Sequence, residues 1–169
     1  AAARPRVVAQ LELELDALTI FLVHLSIRYR IRQHQLGDLY SLVRDTKKPH
    51  IVAGDFNALW GDREIRLFLA ATGLANANTS GQPSFPSWKP RRQLDFVLHS
   101  RDITITNFMI PEVTFSDHLP LVCDFEILEW VALSASTWRE ANQMACRYIR
   151  VVSEAADYQQ VVCGDKSHL

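Results

Sequence analysis

The chain has 169 residues, of which 48% are hydrophobic and 22% are charged, and its formal net charge is −1 at pH 7. This length and composition predict one globular domain with a sizeable core. A net charge near zero excludes a global basic field that would hold nucleic acid nonspecifically, so any attraction to phosphate must be local. The sequence shows no membrane-spanning apolar run and no signal peptide.

The three cysteines are Cys123, Cys146 and Cys163, and their spacing is not that of a metal site. We therefore expect free thiols in a reducing, cytoplasmic compartment. The chain begins with Ala1 rather than methionine and reaches a strand pattern by residue 7, which favours a processed product or a fragment.

Two strands are predicted first. Residues 7–16 alternate between apolar and polar side chains, as in a half-buried strand. Residues 18–25 are apolar on both faces, which predicts an interior strand with His24 near its end. His24 is either a strand-end histidine satisfied by backbone groups or an imidazole directed at a ligand.

Residues 28–45 carry apolar side chains at helical spacing and predict an amphipathic helix. Several arginines crowd its start, among them Arg32. They form either a solvated helix entrance or, through one member, a contact to a substrate phosphate.

Residues 50–57 read His-Ile-Val-Ala-Gly-Asp-Phe-Asn and predict a short apolar strand. Side chains two positions apart project to the same side of extended chain, so Asp55 and Asn57 are expected to face one site. Gly54 allows a close backbone approach or a sharp turn. A carboxylate that accepts a proton from water, beside a carboxamide that donates to a phosphate oxygen, suits hydrolysis.

A short helix is predicted over residues 62–71, followed by a long polar loop over 74–92. Loops of this length in compact domains are often functional. This one carries an aromatic and basic set that suits stacking on a base or sugar and pairing with phosphate: Phe85, Trp88, Lys89, Arg91 and Arg92. Alternatively, Trp88 covers a sheet edge.

Three further strands are predicted over residues 93–99, 103–110 and 119–127. The first contains Asp95, and the last follows Asp117-His118 directly. From Ser134 to about Val161 the apolar spacing is typical of a helix, which would cover exposed sheet or dock a partner. These patterns divide the chain into a domain over residues 1–129 and a helical extension over 130–169.

Three motifs follow one another along the chain: Gly-Asp-Phe-Asn at 54–57, Leu-Asp-Phe-Val-Leu at 94–98 and Ser-Asp-His-Leu-Pro at 116–120. In this order and spacing they resemble the endonuclease/exonuclease/phosphatase superfamily of metal-dependent phosphoesterases. The resemblance covers roughly residues 7–127 and is closest to the C-terminal half of that fold. It implies an α/β sandwich of the DNase I type, with two mixed or antiparallel sheets and outer helices.

The resemblance also implies a catalytic set. Asp55 would orient or deprotonate the attacking water, and Asn57 would hold a phosphate oxygen. His118 would be the imidazole at the phosphate, held in tautomer and orientation by Asp95. His24 would be a second imidazole near the leaving group.

Divalent-metal-dependent hydrolysis of a phosphodiester or phosphomonoester is the implied activity, with Mg²⁺ or Mn²⁺ held by Asp117 and Asp55. Trp88, Arg91, Arg92 and Arg32 would bind the substrate. Nucleic acid is the first expectation for that substrate, and a phospholipid or inositol phosphate head group the alternative.

The sequence departs from the family pattern in one respect. The metal-binding glutamate and the asparagine of the family's N-terminal half have no counterpart here. A non-catalytic binding module is therefore the second expectation. It would be a half-domain that forms a homo-oligomer or pairs with a complementary N-terminal segment.

Overall fold

The computed structural model describes residues 8–12, 18–59, 63–127, 148–153 and 159–164. The elements within these ranges are, in order, β1 (Val8–Glu12), β2 (Thr19–His24), α1 (Tyr29–Asp45), β3 (His50–Asp55), α2 (Arg63–Thr72), β4 (Ala75–Asn76), β5 (Asp95–His99), β6 (Ile103–Met109), β7 (Leu121–Ile127), β8 (Tyr148–Ser153) and β9 (Gln159–Gly164). In this part of the chain, no helix combines the length and the apolar character needed to cross a bilayer.

The strands form two sheets. The first has the order β1-β2-β3-β5-β4, and the second has the order β6-β7-β8-β9. Strands β2 and β3 are parallel and are connected through α1, as a parallel pair requires a crossover. All the other described pairs are antiparallel.

The central strands of the first sheet are covered on both faces. Along β2, Phe21 and Val23 join a core with buried residues of α1 and α2, such as Leu39 and Phe68. Ile20 lies in a second core, which contains residues of β6 and β7. This alternation places helices on one face of the sheet and the second sheet on the other. Burial of each such side chain stabilises the fold by roughly 1.5–3 kcal/mol.

The two-sheet sandwich with outer helices agrees with the predicted fold class. The predicted interior strand at 18–25 is confirmed as β2, and the helices predicted at 28–45 and 62–71 are confirmed as α1 and α2. Cys123 is fully buried in the core between the sheets, as expected of a core thiol.

The prediction of a helical C-terminal extension is wrong where the structure describes it. Residues 148–153 and 159–164 are strands β8 and β9. Strand β8 pairs with β7 from Leu121 to Phe125 and extends the second sheet. An open edge of β7 provides backbone hydrogen-bond partners that apolar spacing alone does not reveal. The rest of the predicted helix, residues 134–147 and 154–158, lies outside the described residues.

Candidate active site

The register of the first sheet brings three polar side chains together where the central strands β2 and β3 end and β5 begins. His24 is paired with Asp55 in the parallel β2–β3 ladder, and Asp55 is paired with Asp95 in the antiparallel β3–β5 ladder. Gly54 makes this close approach possible, because its φ is +134° and a Cβ there would lie 1.9 Å from the carbonyl oxygen of Val23. A larger residue at position 54 would push β2 and β3 apart.

Buried Asp95 and half-buried His118 form a hydrogen-bonded pair. The Nδ1 atom of His118 lies 2.8 Å from Oδ2 of Asp95, and the two side chains are 11% and 4% exposed. The hydroxyl of Ser84 donates to the same Oδ2 at 2.6 Å. The ring of Phe85 lies against the imidazole, with a centroid separation of 4.7 Å. These contacts restrain the imidazole and favour the tautomer with its proton on Nδ1.

Asp55 lies beside this pair and is held from two sides. Its Oδ1 atom accepts a hydrogen bond of 2.7 Å from the backbone N–H of Asn57, and its Oδ2 atom lies 3.7 Å from Nε2 of His24. The carboxamide of Asn57 donates to the carbonyl oxygen of Leu25 at 2.8 Å.

The predicted strand over 50–57 ends at Asp55, and Asn57 has a left-handed φ of 48°. Asp55 and Asn57 are therefore neighbours through a turn in which the aspartate side chain accepts from the backbone two residues on. They are not neighbours through strand alternation, which was the basis of the prediction.

The electrostatic environment perturbs both reactive groups. Burial, followed by the negative charge of Asp95, raises the pKa of Asp55 from 3.8 to about 6, although the hydrogen bond from Asn57 and the nearby histidines oppose the rise. Burial by itself lowers the pKa of His118. The hydrogen bond and charge of Asp95, with contributions from Asp55 and Asp117, outweigh it, so that the pKa of His118 is raised.

One cluster in the described part of the chain offers three metal-ligating side chains. Asp55, Asp95 and His118 each contribute one ligand atom, and these atoms lie within 4.8 Å of one another. Asp117, the predicted metal ligand, does not join this cluster. Its side chain is exposed and accepts a hydrogen bond of 3.1 Å from the hydroxyl of Ser116.

The loop over 74–92 reaches the site. Its hydrogen bonds run from Ser87 N–H to the carbonyl oxygen of Asp117 at 2.7 Å and from Leu119 N–H to that of Ser84 at 2.8 Å. Trp88 is 71% exposed, and Arg91 and Arg92 are exposed as well. Trp88 therefore does not cover a sheet edge within the described residues.

Arg32 does not lie where a substrate contact was predicted. Its side chain is fully buried, and its Nε and Nη2 atoms lie 2.9 and 2.8 Å from Oε1 of Glu64. Its Nη1 atom donates to the carbonyl oxygens of Ser26 and Ile27. A buried guanidinium needs such partners, so Arg32 ties α1 to α2 and to the segment after β2.

The profile of the Endonuclease/Exonuclease/phosphatase family matches residues 5–118, which is more than half of the chain. The chain belongs to this family. No curated protein sequence matches it significantly.

Solved structures agree with this family assignment. An endonuclease/exonuclease/phosphatase from Beutenbergia cavernae is 14% identical with a TM-score of 0.57, and the similarity covers 93% of this chain and 48% of that one. A functionally unknown conserved protein from Enterococcus faecalis V583 is 18% identical with a TM-score of 0.54, covering 65% and 50% of the two chains. These two similarities concern the fold alone.

The catalytic domain of human nocturnin, solved with a bound sulfate anion, is 27% identical with a TM-score of 0.50. The similarity covers 68% of this chain and 49% of that one. The chain thus spans about half the length of each of these structures.

Two contacts in this family member were not predicted from the sequence. Ser84 contacts Asp95, and the Leu25 carbonyl accepts from Asn57. Ser84 opens the Ser-Phe-Pro-Ser stretch that precedes the strand of Asp95, and this stretch could have drawn attention to it. The sequence does not show that the Ser84 hydroxyl contacts Asp95. A backbone carbonyl such as that of Leu25 leaves no sequence signal at all.

Proposed function

We propose that this chain hydrolyses phosphoesters with a divalent cation, at the site where β2 and β3 end and β5 begins. The observation that carries the proposal is the position of Asp55 beside the hydrogen-bonded Asp95–His118 pair, with the three ligand atoms within 4.8 Å. Family membership supports the hydrolase class. Nucleic acid is the first substrate candidate.

The donor set fits a magnesium or manganese ion held mainly through Asp55. Its carboxylate is buried next to a second carboxylate, and its raised pKa reflects the cost of that arrangement. A cation would offset both burial and the charge of Asp95. Mg²⁺ binds through one or two carboxylates while it keeps several waters. Asp95 fits less well as a ligand, because its Oδ2 atom already accepts from Ser84 and His118. The bound ion supplies neutralisation of charge on the phosphoryl oxygens.

The side chains then have separate roles. Asp55 has a pKa of about 6 without a metal ion, so it is ionised at neutral pH and is a base for the attacking water. The Nδ1 proton of His118 is held by Asp95, which leaves Nε2 as the ring nitrogen for a phosphoryl oxygen. The raised pKa of His118 favours the imidazolium, which stabilises negative charge there. Asn57 and His24 lie next to Asp55 and complete the site.

The test is the rate of hydrolysis of methyl 4-nitrophenyl phosphate by the purified chain, with magnesium or with a chelator. We expect magnesium-dependent turnover that falls about 10²–10⁴-fold in Asp55→Asn, as general-base loss requires. Asp38→Asn is the matched control, because Asp38 is an exposed carboxylate on α1. Unchanged turnover in Asp55→Asn, or turnover insensitive to chelation, would overturn the proposal.

A second candidate is a binding module without turnover. It is favoured by the small number of ligands: among the described residues, Asp55 is the one clustered carboxylate that is not hydrogen-bonded to His118. Absence of turnover, together with phosphoester binding that Asp55→Asn leaves unchanged, would support this module.

A further inference from the structure

Two aromatic side chains near the candidate site are strongly exposed. Phe115 is 89% exposed and Trp88 is 71% exposed, the two highest values among the exposed large hydrophobic side chains of the described residues. Neither side chain contributes its ring to either described core. Exposed aromatic groups beside polar residues are typical of binding surfaces.

The two aromatics lie on chain segments that run side by side. Leu119 N–H donates to the carbonyl oxygen of Ser84 at 2.8 Å, and Ser87 N–H donates to that of Asp117 at 2.7 Å. The hydroxyl of Ser87 donates to the carbonyl oxygen of Ser116. These bonds align residues 84–87 antiparallel to residues 116–119. Trp88 directly follows the first segment and Phe115 directly precedes the second, so both lie at the same end of the paired segments.

The same alignment connects the aromatics to the reactive imidazole. His118 lies next to the Leu119–Ser84 hydrogen bond, and its ring contacts that of Phe85. Phe115 is three residues from His118 along the chain, so their Cα atoms are at most about 10 Å apart. A nucleoside attached to a phosphate at His118 can bridge this distance.

The local charge is complementary to a polyanion. Residues 84–92 contain three cations and no acidic residue, and all three cations are exposed: Lys89, Arg91 and Arg92. A basic loop that also carries exposed aromatic rings is typical of surfaces that bind single-stranded nucleic acid. Two aromatic side chains separated by polar residues give too little apolar area to enter a bilayer stably.

We propose that Trp88 and Phe115 form a stacking platform for the base of a nucleotide whose phosphate lies at His118. The platform selects phosphoesters of nucleosides, in particular single-stranded oligonucleotides. Hydrolysis of such a substrate rests on the function proposed above, but binding to the platform does not.

The test compares two fluorescein-labelled oligomers of equal length and charge, by fluorescence anisotropy in a chelator. One is a single-stranded oligonucleotide, and the other is the same sugar–phosphate chain without bases. We expect the oligonucleotide to bind about 10-fold more tightly or better, since a stacked base is worth about that much. Phe115→Ala and Trp88→Ala should each reduce this preference several-fold and leave the affinity for the baseless chain unchanged.

Three further variants isolate the stacking. Trp88→Phe should retain most of the preference, whereas Phe115→Leu, which is apolar without a ring, should lose it. Leu67→Ala is the matched control, because Leu67 is 63% exposed on α2, and it should bind as the wild type does.

Equal affinity for both oligomers, or no binding of either, would overturn the platform. So would Phe115-dependent binding to phosphatidylserine vesicles without any base preference, since the rings would then contact lipid. Loss of a dimer on Phe115→Ala, with base preference unchanged, would assign the rings to a second copy of the chain. Because this readout needs neither metal nor turnover, its failure leaves the hydrolysis of methyl 4-nitrophenyl phosphate as a separate result.

Discussion

Replacement of Asp55 by asparagine should stabilise the metal-free protein at neutral pH. The pKa of Asp55 is about 6 in the fold and has an ordinary value of 3.8. At about 1.4 kcal/mol per pKa unit, ionisation of Asp55 costs the fold about 3 kcal/mol. The side chain is 15% exposed, and the variant loses the attraction to His24, so we expect a gain of about 1–3 kcal/mol. Asparagine can still accept the hydrogen bond from Asn57.

The pH dependence has a defined sign. The folded protein binds the Asp55 proton more tightly than the unfolded chain does, so the wild type loses stability as the pH rises from about 4 to about 6. The advantage of Asp55→Asn should therefore be near zero at about pH 4 and complete at neutral pH. Urea denaturation in a chelator, at both pH values, gives the free energies of unfolding.

The control is Asp38→Asn, which should change the free energy of unfolding by less than about 0.5 kcal/mol at either pH. Magnesium should raise the melting temperature of the wild type and have little effect on Asp55→Asn, because a ligand that binds the folded state stabilises it. The reasoning would be refuted by an Asp55→Asn variant that is no more stable than the wild type at neutral pH.

Three further predictions follow from the contacts. Removal of Asp95 and His118 should be strongly non-additive in kcat/KM, and independent losses in a double-mutant cycle would show that Asp95 does not act through the imidazole. Arg32→Ala should lower the free energy of unfolding by about 3–5 kcal/mol, because it leaves the carboxylate of Glu64 without its buried partner; a change of substrate affinity with unchanged stability would restore Arg32 to the binding surface. Gly54→Ala should lower the free energy of unfolding by at least about 2 kcal/mol, because its Cβ would lie 1.9 Å from a backbone oxygen of β2. A wild-type melting temperature in thermal denaturation would contradict the described register.

The local patterns of the sequence were sufficient for the interior of the fold. Residues 18–25 are apolar on both faces, and the structure covers β2 with helices on one side and a sheet on the other. The Gly-Asp-Phe-Asn, Leu-Asp-Phe-Val-Leu and Ser-Asp-His-Leu-Pro motifs identified the family through their residues, their order and their spacing along the chain. Such patterns depend on neighbours a few positions apart, and these are visible in one chain.

Tertiary structure decided what depends on distant partners. Arg32 could be a surface cation until Glu64, 32 positions away, is seen beside it in a buried ion pair. Residues 148–153 have apolar spacing compatible with a helix, yet they form a strand because β7 offers an edge to pair with. The sequence determined which side chains carry the chemistry. The ladder that pairs Asp55 with Asp95 determined how close two buried carboxylates lie, and burial together with that proximity raises the pKa of Asp55.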